Sequence, residues 1–261
     1  MQIKILFPLL LCLIALSGFG QREDLAARAL QITEMRGDLE ALENSLYELV
    51  NFFRIARDDW PAQTWEPVEK HIPTFAEKRF RPLAAQMLDD HFEPERLRAI
   101  SLEYEKDQPE IPQADILLID SLISEAKLQT RAGFSREIIR LLRENGRLTD
   151  TLSAAECRNF QEGVFYNLLP DGSKVTITRR GDQYTEQFEG EMARYKLRAI
   201  NSCDYQITLL ETNMALMQDY VGERFLIEPY EIAGNVMRFI MEQERAPGGY
   251  AILGEFIKIN D

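Results

Sequence analysis

Histidine and cysteine are scarce in this chain: its 261 residues hold two of the first and three of the second. Most chemistry that depends on them is thereby disfavoured. A structural zinc site needs about four converging ligands, and a Ser-His-Asp arrangement needs a histidine that can serve a nucleophile in a motif such as Gly-x-Ser-x-Gly. Neither histidine has such a motif: His71 sits in a proline-rich stretch and His91 among acids. Gly248-Gly249 follows Pro247 but precedes no Lys-Ser/Thr pair, so it is no phosphate cradle. Basic residues are short too, 30 Lys and Arg against 43 Asp and Glu, a formal net charge of −13. Nucleic-acid binding draws its affinity largely from neutralised phosphates, so that class is disfavoured and no nucleic-acid partner is expected. Beyond the first twenty residues no apolar run is long enough to cross a bilayer. No catalytic residue and no cofactor is assigned.

The first residues read as an export signal. Lys4 supplies the positive start, Ile5 to Leu16 form a short apolar run, and Gly18 and Gly20 offer small residues before a cut at Gln21. Cleavage near Gly20 predicts an extracytoplasmic protein, periplasmic or secreted, with no transmembrane segment and a formal charge of −14 once Lys4 is removed from the −13. Cys12 leaves with that segment. Cys157 and Cys203 then remain, an even count in an oxidising compartment, and a disulfide is expected. Closing a loop of nearly fifty residues is worth about 4 kcal/mol in the chain-entropy model.

The organisation predicted is a signal peptide over 1–20, a helical domain over 21–150 and an antiparallel β domain over 151–261. From Leu25 the apolar residues Ile32, Met35, Leu39, Leu42, Leu46, Leu49, Phe53, Ala56 and Trp60 step by three and four, a heptad seam. The phase runs through Gly37-Asp38, which predicts one long first helix bent there. Val50 and Phe52 widen the stripe, which favours packing within the chain over a coiled coil between subunits. Pro61, Pro67 and Pro73 predict a non-helical connection anchored by Trp60 and Trp65, and Thr74 with Glu77 has capping-box spacing for a helix reaching Asp90 that Pro82 delays or kinks. Pro94 suits the first turn of the next helix. Pro112 opens another that Gly133 can close, and Ser135 to Asn145 forms a last amphipathic piece before Gly146. Short connections make these a helical bundle. Met87, His91-Phe92 and Glu95 through Ile100 resemble a secreted bacterial helical domain of unknown function, a likeness that brings no activity.

From Glu162 the period becomes two. Strands are expected at Val164 to Leu168, around Val175 and Ile177, at Gln183 to Phe188, Tyr195 to Ile200, Tyr205 to Leu210, Phe225 to Ile227, Val236 to Met241 and Ala251 to Ile259. Asp171-Gly172 and Gly181-Asp182 supply hairpin turns. An antiparallel meander of this kind must curl or close to protect its edges. Cys157, Phe160, Gly163-Val164-Phe165, Arg179, Gly181, Gln183 to Glu186, Leu197, Cys203-Asp204-Tyr205 and Gly254 to Ile259 are similar to a group of uncharacterised exported bacterial proteins. That resemblance implies a C-terminal lipocalin-like barrel or half-barrel. Lipocalins carry Gly-x-Trp on the first strand, where this chain has Phe165. The fold class expected is therefore α+β: a helical bundle, then an antiparallel meander forming such a barrel.

Two groups of residues are candidates for a site. Asp89, Asp90, His91 and Glu93 offer oxygen and nitrogen ligands to a divalent cation, although the same residues suit a helix end followed by an acid-rich helix start. Tyr166, Tyr184, Tyr195 and Tyr205 can line a ligand cavity in the barrel or simply fill it. Arg179 and Arg180, as strand neighbours, point to opposite faces. The first reading is an exported, non-enzymatic binding or assembly protein, with an unknown protein partner or self-association through the first helix. The alternatives are a carboxylate- or metal-dependent envelope hydrolase, and a lipocalin-like carrier of a small apolar ligand. The carrier requires an open interior, and an interior filled by tyrosine and phenylalanine argues against it.

Overall fold

A computed structural model describes residues 27–148, 152–168, 173–245 and 249–259. The export signal with Cys12 and the cut near Gly20, and the Asp171-Gly172 turn, lie outside the described residues. Helices precede strands: α1 (27–35), α2 (Asp38–Ala56), α3 (Glu66–His91), α4 (Pro94–Tyr104), α5 (Gln113–Glu144) and the short α6 (Ala154–Arg158). Eight strands follow: β1 (Gly163–Leu168), β2 (Lys174–Arg180), β3 (Gln183–Phe188), β4 (Glu191–Ala199), β5 (Tyr205–Thr212), β6 (Arg224–Ala233), β7 (Val236–Gln243) and β8 (Ala251–Lys258). The chain forms two compact units. One comprises the described residues up to Tyr47 with His71–Thr130; the other comprises Glu48–Lys70 with the described residues from Arg131 onward.

α1 and α2 share the apolar phase expected of one long helix, yet the helix breaks between them. Gly37 takes φ +68°, where a residue with a Cβ is disfavoured, and its N–H bonds the Glu34 carbonyl at 3.0 Å. Asp38 opens α2, and its buried carboxylate accepts from Arg36 Nε at 2.8 Å and Lys127 Nζ at 2.7 Å. Ile32, Leu42, Leu46, Leu49 and Phe53 of the heptad seam are buried within the single chain. Met35 and Ala56 of the same seam are exposed.

The prolines do not hold back α3. It begins at Glu66 and continues through Pro73 and Pro82. Pro67 lies in the first turn, where a missing N–H removes no bond. Pro73 and Pro82 each cost about 3 kcal/mol, but Val68, Ile72, Ala76, Phe80 and Leu88 are wholly buried along the helix. Large apolar side chains gain about 1.5–3 kcal/mol each on burial, so packing outweighs the two breaks. Gly133 likewise fails to end α5. A mid-helix glycine costs about 1 kcal/mol, less than the burial of Ile119, Ile123, Phe134, Ile138 and Leu142 returns. The stop comes at Gly146, φ +67°, where Gly146 N–H bonds the Arg143 carbonyl and Arg147 N–H the Leu142 carbonyl, both at 2.9 Å. Those two bonds make a Schellman cap.

The strands form a closed barrel, each antiparallel to the next in chain order and β1 returning to β8. Side chains alternate across the wall. Phe165, Ile177, Tyr184, Tyr195, Leu209, Ile227, Phe239 and Phe256 belong to one buried interior cluster. On the outer face Ile240, Ala251 and Leu253 are also buried. The part of α5 from Arg131 onward lies against that face: Ser135 Oγ accepts from Ala251 N–H at 2.8 Å, Arg136 Nη2 donates to the Gln243 carbonyl at 2.7 Å, and Arg143 pairs with Glu228 at 2.8 Å. α6 starts in a capping box of Ser153 and Glu156. Its Cys157 is bonded to Cys203, in the connection between β4 and β5. Among the described residues no helix is long and apolar enough to cross a membrane.

Candidate functional site

The barrel wall is thinnest where it closes. β1 and β8 meet through two residue pairs, Phe165 with Lys258 and Tyr166 with Ile257. Beyond Tyr166, Asn167 and Leu168 pair with β2 on one side but have no register partner on β8. A cleft of about 560 Å³ is lined by these two residues and by Ile252 to Phe256 of β8. Its floor includes Tyr184, Glu186, Ile227 and Phe239 from the interior, and its other side is Phe52, Ile55 and Ala56 of α2 with Asp58 and Asp59 beyond it. The whole cleft belongs to the unit that holds the barrel.

One buried arginine holds the helical side of the cleft. Arg57, 4% exposed, donates to both carboxylate oxygens of Asp59 at 2.8 Å, to Tyr230 Oη at 3.0 Å and to Glu231 at 2.9 Å, with its guanidinium over the Trp60 ring at 4.2 Å. The hydrogen bond from Arg57 holds the Asp59 carboxyl below its ordinary value. A bulge in β6 makes the double contact with Tyr230 and Glu231 possible: the register shifts between Pro229 and Glu231, leaving Tyr230 as the extra residue. An inserted residue turns two consecutive side chains toward one face.

The chemical centre of the cleft is Glu186. It stands two residues from Tyr184 on β3, so both project inward. Tyr184 Oη donates to Oε1 and Tyr195 Oη to Oε2, each at 2.9 Å. Burial pushes the carboxyl above its ordinary value, against the downward pull of the two hydroxyls. Burial, with the neighbouring Glu186 charge, raises both tyrosines as well. No cation pairs with Glu186 among the described residues. Arg179, an interior guanidinium, is turned to aromatic rings and lies 4.0 Å from the centre of Tyr205. Arg180, its strand neighbour, is exposed.

The four tyrosines read from the sequence therefore separate. Tyr184, Tyr195 and Tyr205 are buried in the interior, and only Tyr184 also borders the cleft. Tyr166 is on the outer face, half-buried, with Lys174 Nζ 4.7 Å over its ring. The remaining interior is packed by rings: Phe239 and Phe256 are 4.2 Å apart, Tyr184 and Tyr195 meet edge-on at 5.3 Å, and Phe160 stacks on Phe165 at 6.0 Å. The open volume lies at the closing seam, where the cleft reaches Tyr184, Glu186, Ile227, Phe239 and Phe256 of the interior. Asp89, Asp90, His91 and Glu93 are exposed at the end of α3 and the start of α4, with His91 Nδ1 on the Met87 carbonyl at 2.8 Å. Among the described residues no group of three His, Cys, Asp or Glu side chains is arranged to hold a metal ion.

The arrangement defines an α+β protein with helices preceding a closed eight-stranded antiparallel barrel, consistent with a lipocalin-like barrel. Compared with known proteins, the chain is matched by no family model, no curated protein and no solved structure. Glu186 escaped the sequence reading because 43 acidic residues make any one of them unremarked. The signal was its parity: an acid two positions from an inward aromatic on a strand must also point inward.

Proposed function

We propose that the protein works outside the cytosol as a non-enzymatic binding protein, taking a small, largely apolar ligand into the cleft at the β1–β8 seam. The observation that carries this reading is the cleft itself, about 560 Å³ and bordered by Phe52, Ile55, Leu168, Phe239 and Ile252. That volume and a mainly apolar lining with a few polar groups are the properties of small-ligand sites. Phe52 and Ile55 are 44% and 67% exposed, apolar area that a ligand would cover. Export is supported by the apolar leader in the sequence and by the Cys157–Cys203 disulfide, a bond favoured in oxidising compartments.

The test is uptake of a neutral apolar fluorophore, N-phenyl-1-naphthylamine, by the full chain. One-to-one binding is expected, with Ile252→Trp filling the cleft and weakening it about tenfold or more, since each 1.4 kcal/mol of lost contact is tenfold. No uptake by folded protein, or equal uptake by the filled variant, overturns the assignment.

A further inference from the structure

The cleft's charges narrow what it takes. Among the described residues four carboxylates border it, Asp58, Asp59, Glu186 and Glu255, against the single guanidinium of Arg238. Two of the four are answered within the protein: Asp59 by Arg57 at 2.8 Å, and Glu255 by Arg238 at 3.6 Å. Arg238 is shared, since it also meets Glu231 at 2.6 Å. Glu186 differs from the other three. Its two partners, Tyr184 and Tyr195, are neutral donors, and they leave the carboxylate without a countercharge in a largely apolar surrounding. A carboxylate taken from water into such a place is costly unless a proton or a cation joins it.

We infer that the cleft's ligand is an amphiphilic organic cation, an apolar body bearing an ammonium or guanidinium group that seats on the Glu186 carboxylate. This rests on the reading of the cleft as a ligand site. The two tyrosine hydroxyls occupy one lone pair on each carboxylate oxygen and hold the group in one orientation, and the remaining lone pairs are free to accept from the ligand. Phe52 and Ile55 on one side and Leu168 and Ile252 on the other give the apolar body its walls. Asp58 at the rim and the preponderance of acid around the mouth raise the local concentration of cations and repel anions. An anionic ligand of the same shape meets Glu186 as a like charge, and a neutral one leaves it uncompensated.

Displacement of bound N-phenyl-1-naphthylamine from the full chain by n-decylamine, n-decanol and n-decanoate at neutral pH tests this. The three share one apolar tail and differ in head-group charge. Decylamine is expected to displace the dye at concentrations about tenfold or more below decanol, the scale of a charge-assisted hydrogen bond, with decanoate the weakest. In Glu186→Gln, checked for folding by circular dichroism, the amine-to-alcohol ratio is expected to fall to about one. Equal displacement by all three in the parent protein, or a preference for decanoate, overturns the cation assignment while leaving the cleft as a ligand site. A full amine preference retained in folded Glu186→Gln overturns the role of Glu186. Failure of the dye itself to bind overturns the site, and this inference with it.

Discussion

Burial holds the Glu186 carboxyl above its ordinary value of 4.5 in the folded chain. Unfolding releases it to that ordinary value, so between the two values the folded state binds more protons than the unfolded one. Stability therefore falls as pH rises through that window and levels off above it. Below the window the carboxyl is protonated in both states and imposes no penalty. Without ligand, Glu186→Gln is expected to melt close to the parent at about pH 3.5 and above it at about pH 8, as thermal scans would register; a difference independent of pH would contradict this. Arg57 carries a different weight. Arg57→Ala removes four hydrogen bonds and the contact with Trp60, leaving Tyr230 buried without its donor. Since Asp59 and Glu231 remain partly solvated, the cost is expected to be about 2–3 kcal/mol, read as a lower urea midpoint. Neither residue was legible as important from the sequence. Arg57 follows the buried Val50 by seven residues and so falls on the apolar stripe, but its partners become neighbours only because a bulge in β6 turns Tyr230 toward it.

The strands were legible because period-two alternation is written into each segment whatever its partner, and all eight appear where the alternation places them. Their ends were less so. β6 extends to Ala233, well past the expected Ile227, because the bulge interrupts the alternation at Pro229. Helix boundaries failed where local preference and burial disagreed. Pro73 and Gly133 argue for breaks on propensity alone, and buried faces on α3 and α5 override both. That override makes Pro73 a residual cost. Pro73→Ala restores a backbone donor at an exposed position, and is expected to raise stability by about 1–2 kcal/mol after the lost stiffening of the unfolded chain is allowed for. Gly146 is the opposite case. Its positive φ makes Gly146→Ala destabilising by about 1 kcal/mol, measurable by chemical denaturation.

For the molecule as a whole, the covalent link and the incomplete closure act on the same barrel. Cys157 and Cys203 are 46 residues apart in sequence, and their bond ties α6 to the β4–β5 connection. The Cys157→Ala, Cys203→Ala pair is expected to lower stability by about 4 kcal/mol on the chain-entropy account, with urea denaturation of the oxidised parent as the comparison. The seam has a further meaning. Full closure is what frees a β protein from strand edges, and this barrel closes over only part of the length of β1. Beside Asn167 and Leu168 it keeps a short edge, the kind of surface on which a stray strand from another chain can grow. Charged neighbours are a common defence of such an edge, and Asp58, Asp59 and Glu255 stand around this one. The gap that admits a small molecule is thereby guarded against a large one: the same acids that draw in a cation discourage the edge-to-edge pairing through which β proteins aggregate.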